Sequence, residues 1–171
     1  MRRLLFFVLC TLPVITLSFV LTSCKGKEQP VDPSDPKNAA IAGNVAKPEW
    51  KGPSSYDLSS SMTIVAQVDL SPYYASQLDT AKYTLSSDDL LAAFSGDECL
   101  GVAEKKDSLF FLYVCSPTAA TDDQATLSLT IRYYSASLRN VFRSINPIIY
   151  INDGQSGTVD NPYKPLFVID K

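Results

Sequence analysis

Met62, Ile64, Ala66, Val68 and Leu70 alternate with Thr63, Val65, Gln67 and Asp69, and Leu127, Leu129, Ile131 and Tyr133 alternate with Thr126, Ser128, Thr130 and Arg132. A period of two sends successive side chains to opposite faces, so each run reads as a strand with one face in a core. No window carries a helical stripe of comparable quality. The nearest is Ser86-Ser87-Asp88-Asp89 ahead of "LLAAF", a polar run that could cap a short helix. Between the alternating runs, Leu109 to Cys115 ("LFFLYVC") is apolar at every position. Its length, its aromatics and its borders at Asp107-Ser108 and Ser116-Pro117 predict a central strand covered on both faces rather than a buried helix. Further strands are expected at Leu91 to Phe94, Glu98 to Ala103, Asn140 to Ile145, Ile148 to Ile151 and Leu166 to Ile169. So many short strands with turn residues between them predict an all-β domain over residues 49 to 171, an antiparallel two-layer β-sandwich around one core.

The chain begins differently. Arg2 and Arg3 precede twenty uncharged residues, Leu4 to Ser23, rich in Leu, Phe, Val and Ile. That length is about enough for a helix to cross a bilayer. A retained membrane helix therefore competes with a cleaved export signal, and the order of basic start, apolar middle and small residues at the end favours the signal. The tetrad Leu21-Thr22-Ser23-Cys24 resembles the lipobox of bacterial lipoproteins. The resemblance implies that the Cys24 thiol is joined to a diacylglycerol, that residues 1 to 23 are removed together with Cys10, and that the new amine is acylated. Each buried methylene contributes about 0.8 kcal/mol, and more than one chain is needed for stable attachment. Three chains on Cys24 satisfy that requirement. Lys25 directly after the cysteine fits, by the same resemblance, sorting to the outer membrane. The stretch "KGKEQ" is less acidic than surface-export signals of such proteins, so periplasmic face and cell surface both stay open.

Residues 24 to 48 carry Pro30, Pro33, Pro36 and Pro48 and few large apolar residues. Such a composition predicts an extended spacer, since it offers little surface to bury against the entropy of ordering. Loss of Arg2 and Arg3 takes the formal charge from −3 to −5. A mildly acidic domain is not built for nucleic acid or anionic lipid headgroups, both of which require a basic face. Histidine is absent from the chain. Imidazole bases, Ser-His and Cys-His nucleophile pairs and histidine metal ligands are excluded with it.

Asp89 followed by "LLAAFSGDECLGVA", then "LFFLYVC", then "LTIRYYSASLRNVFRSINPIIYINDGQSGTVDNP", resembles a β-sandwich module of secreted proteins and lipoproteins of the Bacteroidetes type. The module reads as an alternating strand, an "AAF-x-G-D-E-C-R-G-V-A" segment, an "FFL" strand, a "YYDA" segment and a closing "G-T-x-x-N-P". The likeness spans about Met62 to Pro162 and implies an immunoglobulin-like sandwich without established catalysis. It departs at Leu100, where the module carries arginine, and at Ser135, where it carries aspartate.

Several stretches admit a chemical reading beside a bland one. Gly96-Asp97-Glu98 is read as a hairpin turn, because adjacent strand residues point to opposite faces and two such acids do not converge. "NDGQSGTVDN", Asn152 to Asn161, offers oxygen ligands for calcium but lacks the spacing of an EF-hand loop, and is read as a glycine-containing loop. Cys99 and Cys115 flank an expected hairpin. A three-residue loop centred on Asp107 would set them opposite and allow a disulfide, whereas a two-residue loop would put them out of register as buried thiols. Tyr73, Tyr74, Tyr133 and Tyr134 are the aromatics weighed as sugar-stacking or partner-anchoring groups against core packing.

The sequence assigns no catalytic, cofactor-binding or metal-binding residue. It predicts a lipid-anchored envelope protein, attached to the membrane at Cys24, whose sandwich binds a glycan or a neighbouring envelope protein without catalysis. A structural subunit of a surface assembly is the alternative, ahead of a glycoside hydrolase built on two carboxylates.

Overall fold

The computed structural model describes residues 41–54, 60–74, 85–116 and 127–170, so residues 1–40, with the expected signal and Cys24, lie outside the described residues. Among the described residues ten strands form two packed sheets, with one helical turn beside them. In chain order they are β1 (Ser61–Gln67), α1 (Ser71–Tyr74), β2 (Leu90–Ser95), β3 (Glu98–Val102), β4 (Glu104–Lys106), β5 (Leu109–Cys115), β6 (Ser128–Ser135), β7 (Asn140–Ser144), β8 (Ile148–Ile149), β9 (Gln155–Ser156) and β10 (Phe167–Ile169). The smaller sheet runs β4-β5-β1-β9 and the larger β10-β7-β6-β2-β3, with β8 paired to β6. The fold is thus the predicted β-sandwich. Its pairing is antiparallel except along β9 and the single bridge at Tyr163, which run parallel to β1.

Alternation decides the inner layer. Met62, Ile64 and Ala66 of β1 and Phe110, Leu112 and Val114 of β5 face Leu91 and Ala93 of β2, Leu129, Ile131 and Tyr133 of β6, Phe142 of β7 and Phe167 of β10. Tyr133 is fully buried, with the rings of Phe110, Phe142 and Phe167 at centroid distances of 6.2, 6.1 and 5.8 Å. Offset and edge-on contacts of this kind contribute about 0.5–1.5 kcal/mol each beyond area burial.

The two sheets join where the chain changes layer. β3 pairs with β2, and after Ala103 the chain crosses to pair β4 with β5 around the two-residue turn Asp107-Ser108, with Asp107 in the left-handed region at φ 55°. Gly101 makes the crossing possible. A Cβ there would overlap the Tyr113 carbonyl oxygen of β5, so only glycine lets the strands approach this closely.

Three expectations change. Glu98 to Ala103 does not form a hairpin with β5, because the chain switches sheets at Ala103. Ser86 to Asp89 forms a turn into β2 rather than a helix cap. The folded body begins at or before Ile41, not at residue 49. Ile41 is 1% exposed, and Asn140 Nδ2 donates to its carbonyl at 2.9 Å. Gly43 N–H and Val45 N–H donate to the carbonyls of Leu138 and Arg139 at 2.8 and 2.9 Å. Lys47 pairs with Asp88 at 2.8 Å, and the Trp50 ring meets Phe94 edge-on at 5.5 Å. Prolines and small residues concealed this strap, which runs from Ile41 in the core, past the turn between β6 and β7, to Asp88 and to Phe94 of β2.

Candidate functional site

The outer face of the larger sheet is sealed. Phe94 and Tyr134 point outward from β2 and β6 yet are almost fully buried. Trp50 covers Phe94 from one side. The guanidinium of Arg132 lies over the same ring with Cζ 4.4 Å from its centroid, a cation–π contact. Arg132 also reaches Asp97 at 3.3 Å and Asp170 at 3.4 Å, and Arg143 approaches the second oxygen of Asp170 at 3.5 Å. The Nε of Arg132 is buried without a well-directed hydrogen bond, so its contact with Asp170 is one of charge. These groups answer one another.

One end of the sandwich is closed by a carboxylate. Asp89, 3% exposed, accepts hydrogen bonds from Ser86 N–H (2.8 Å), Ala136 N–H (2.8 Å) and the Tyr133 hydroxyl (2.9 Å). Burial pushes its pKa above the ordinary carboxylate value, against the opposing pull of those three donors. The arrangement ties two turns to the central tyrosine. Composition gave no signal for it, because Asp88 and Asp89 are adjacent and only the fold separates the exposed one from the buried one.

The outer face of the smaller sheet is different. "LFFLYVC" predicts a strand covered on both faces; its inward residues are buried, but on the outward face only Cys115 is. Tyr113 is 55% exposed, and Leu109 and Phe111 beside it are half-buried. Register sets three rows across this face: Tyr113–Thr63–Gln155, then Glu104–Phe111–Val65, then Lys106–Leu109–Gln67. Residues paired across neighbouring strands share a face, so each row lies side by side on the outer surface. Val65 is 5% exposed where residues 157–163 run alongside β1. Beyond it the Thr158–Asn161 turn, held by Thr158 N–H on the Asn161 carbonyl at 3.0 Å, forms a lip at the edge of the sheet.

The residues singled out in the sequence do not converge. Gly96 and Asp97 form the two-residue turn between β2 and β3, with Gly96 at φ 59° and Asp97 against Arg132. Asn152 to Asn161 is the loop that carries β9 and the lip. Cys99 and Cys115 are unbridged thiols. Cys99 pairs with Phe94 and faces outward from the larger sheet, whereas Cys115 pairs with Ser61 on the smaller. The sheet change at Ala103 and the two-residue turn separate them, and burial raises the Cys99 thiol pKa. Tyr133 and Tyr134 are packing residues. Tyr74 lies edge-on to Phe142 at 5.8 Å, and its hydroxyl accepts from Ile169 N–H at 3.0 Å. The side chain of Tyr73 lies outside the described residues. Leu100 is fully buried, and Ser135 takes part in the Ser137 and Leu138 N–H contacts of its turn.

Among the described residues no helix is long and apolar enough to cross a membrane, and no three His, Cys, Asp or Glu side chains gather as metal ligands. No family model, curated protein or solved structure matches the chain.

Proposed function

We propose that the chain is a lipid-anchored lipoprotein of the outer membrane whose sandwich is a non-catalytic binding module. The observation that carries the binding role is Tyr113, 55% exposed at an outward position of β5 with Phe111 and Leu109 only partly buried beside it. An apolar residue at an outward strand position gains little where it stays wet, so Leu109, Phe111 and Tyr113 read better as one side of a contact than as core. The strand edges favour a binder over a polymerising subunit. β4 and β9 have three and two residues, β3 bends away at Ala103, and Ile169 N–H on β10 is taken by Tyr74. A donated strand has little backbone to pair with there.

The anchor rests on the lipobox resemblance and the apolar run before Cys24. Protein isolated from membranes is expected to begin at Cys24 with fatty acyl groups, and Cys24→Ser is expected to accumulate as an uncleaved precursor. Mass spectrometry that finds Met1 to Ser23 intact and no acyl group overturns the anchor.

A further inference from the structure

We propose that the Tyr113–Thr63–Gln155 row is a binding site for an uncharged saccharide chain. The inference rests on the binding-module reading and names its ligand class. Tyr113 stands half-exposed on β5, with the hydroxyl of Thr63 beside it on β1 and the amide of Gln155 beyond on β9. Neighbouring strands are about 4.8 Å apart, so the row is about 10 Å long, room for two pyranose rings laid across the strands. An aromatic ring covers the C–H face of a sugar and excludes water from it. A hydroxyl both donates and accepts, and an amide offers one acceptor and two donors, which suits the mixed donors and acceptors of sugar hydroxyls. Gln155 is already oriented by its own hydrogen bond, Nε2 donating to the Gly157 carbonyl at 3.0 Å.

The charges of the face select among ligands. Among the described residues the row carries no ionisable group other than the Tyr113 phenol; the rows on one side carry Glu104 and Lys106, and on the other side exposed Asp153 donates its N–H to the Ser61 carbonyl at 2.8 Å. A face with more acid than base offers no attraction to a polyanion such as nucleic acid or an acidic polysaccharide. A protein partner needs a desolvated apolar centre ringed by polar groups. Here Phe111 and Leu109 beside Tyr113 are already partly buried, so the exposed aromatic stands at the end of a row whose other members are polar, as an elongated polyol requires.

The test uses the full chain purified in detergent and isothermal titration with uncharged hexasaccharides: β-1,4-glucose, α-1,4-glucose, β-1,4-xylose, β-1,4-mannose and N-acetylglucosamine oligomers. Binding to at least one is expected, with Tyr113→Ala weakening it by about tenfold or more, Tyr113→Trp retaining it, and Gln155→Ala and Thr63→Val each weakening it several-fold. Unchanged thermal unfolding of Tyr113→Ala separates a lost contact from a lost fold. Binding that survives Tyr113→Ala overturns the site, and binding to none of the oligomers overturns the ligand class. In either case the binding-module reading is tested separately, by capture of solubilised envelope proteins on wild-type and Tyr113→Ala protein. Equal capture of nothing by both overturns that reading as well.

Discussion

The two outer faces of this sandwich are made of similar residues and have opposite fates. On the larger sheet Phe94 and Tyr134 are covered by Trp50, Arg132 and the strap that begins at or before Ile41. On the smaller sheet Leu109 and Phe111 are only partly buried, and Tyr113 is 55% exposed. Covered aromatics contribute through buried area, roughly 25 cal/mol for each Å² of apolar surface. Exposed ones contribute little to folding and retain that area for a ligand. The difference therefore separates residues that hold the domain together from the exposed residue on which the proposed binding role rests.

The sharpest way to break the comparison is at the joint between the faces. Gly101→Ala sets a Cβ against the Tyr113 backbone, and a rigid carbonyl cannot move aside as a side chain would. A loss of more than about 3 kcal/mol is expected in urea unfolding. A smaller loss would mean that β3 and β5 are not held as closely as described.

Asp89→Ala comes next, with an expected loss of about 3 kcal/mol, because it leaves two backbone N–H groups and the Tyr133 hydroxyl without their acceptor. Asp89 also carries a pH dependence of definite sign. Its folded-state pKa is raised above the ordinary 3.8, so the folded state holds the proton more tightly than the unfolded one. The carboxyl's contribution to stability is therefore greatest below that value and declines as pH rises from it toward the folded pKa. The stability difference between wild type and Asp89→Asn is expected to move against wild type across that window and then level off. A difference that grows in wild type's favour with rising pH would show instead that the three hydrogen bonds outweigh burial.

On the sealed face, Trp50→Ala is expected to cost about 2 kcal/mol, less than a fully buried indole, since Trp50 is only partly covered. On the open face, Tyr113→Ser is expected to stay within about 0.5 kcal/mol of wild type, the range of ordinary surface changes. Equal costs at the two positions would dissolve the distinction between the faces.

Much of the sheet layer was legible because alternation is local. Met62 to Gln67 and Leu129 to Tyr133 bury the alternate residues that their pattern names, since one face of each must meet a core. What escaped prediction was long-range. Nothing near Ala103 signals a change of sheet, and the requirement for Gly101 comes from Tyr113, distant in sequence. Ile41 is one apolar residue among small ones, yet Asn140 and the core receive it. The outward half of β5 escaped for another reason. Hydrophobic pattern reports what gains from leaving water, and it does not distinguish a strand that leaves water on folding from one that does so on binding.

The strap gives the proposed tether a defined point of attachment. Among the described residues, a pull on that tether meets the contacts of Ile41, Gly43 and Val45 with Asn140, Leu138 and Arg139 first, so these are expected to peel singly and at low force. Single-molecule extension from the N-terminal side should record that release ahead of any sheet rupture. Because the strap's contacts are to the larger sheet, the smaller one, with the proposed site on it, would carry load only after the strap had come away.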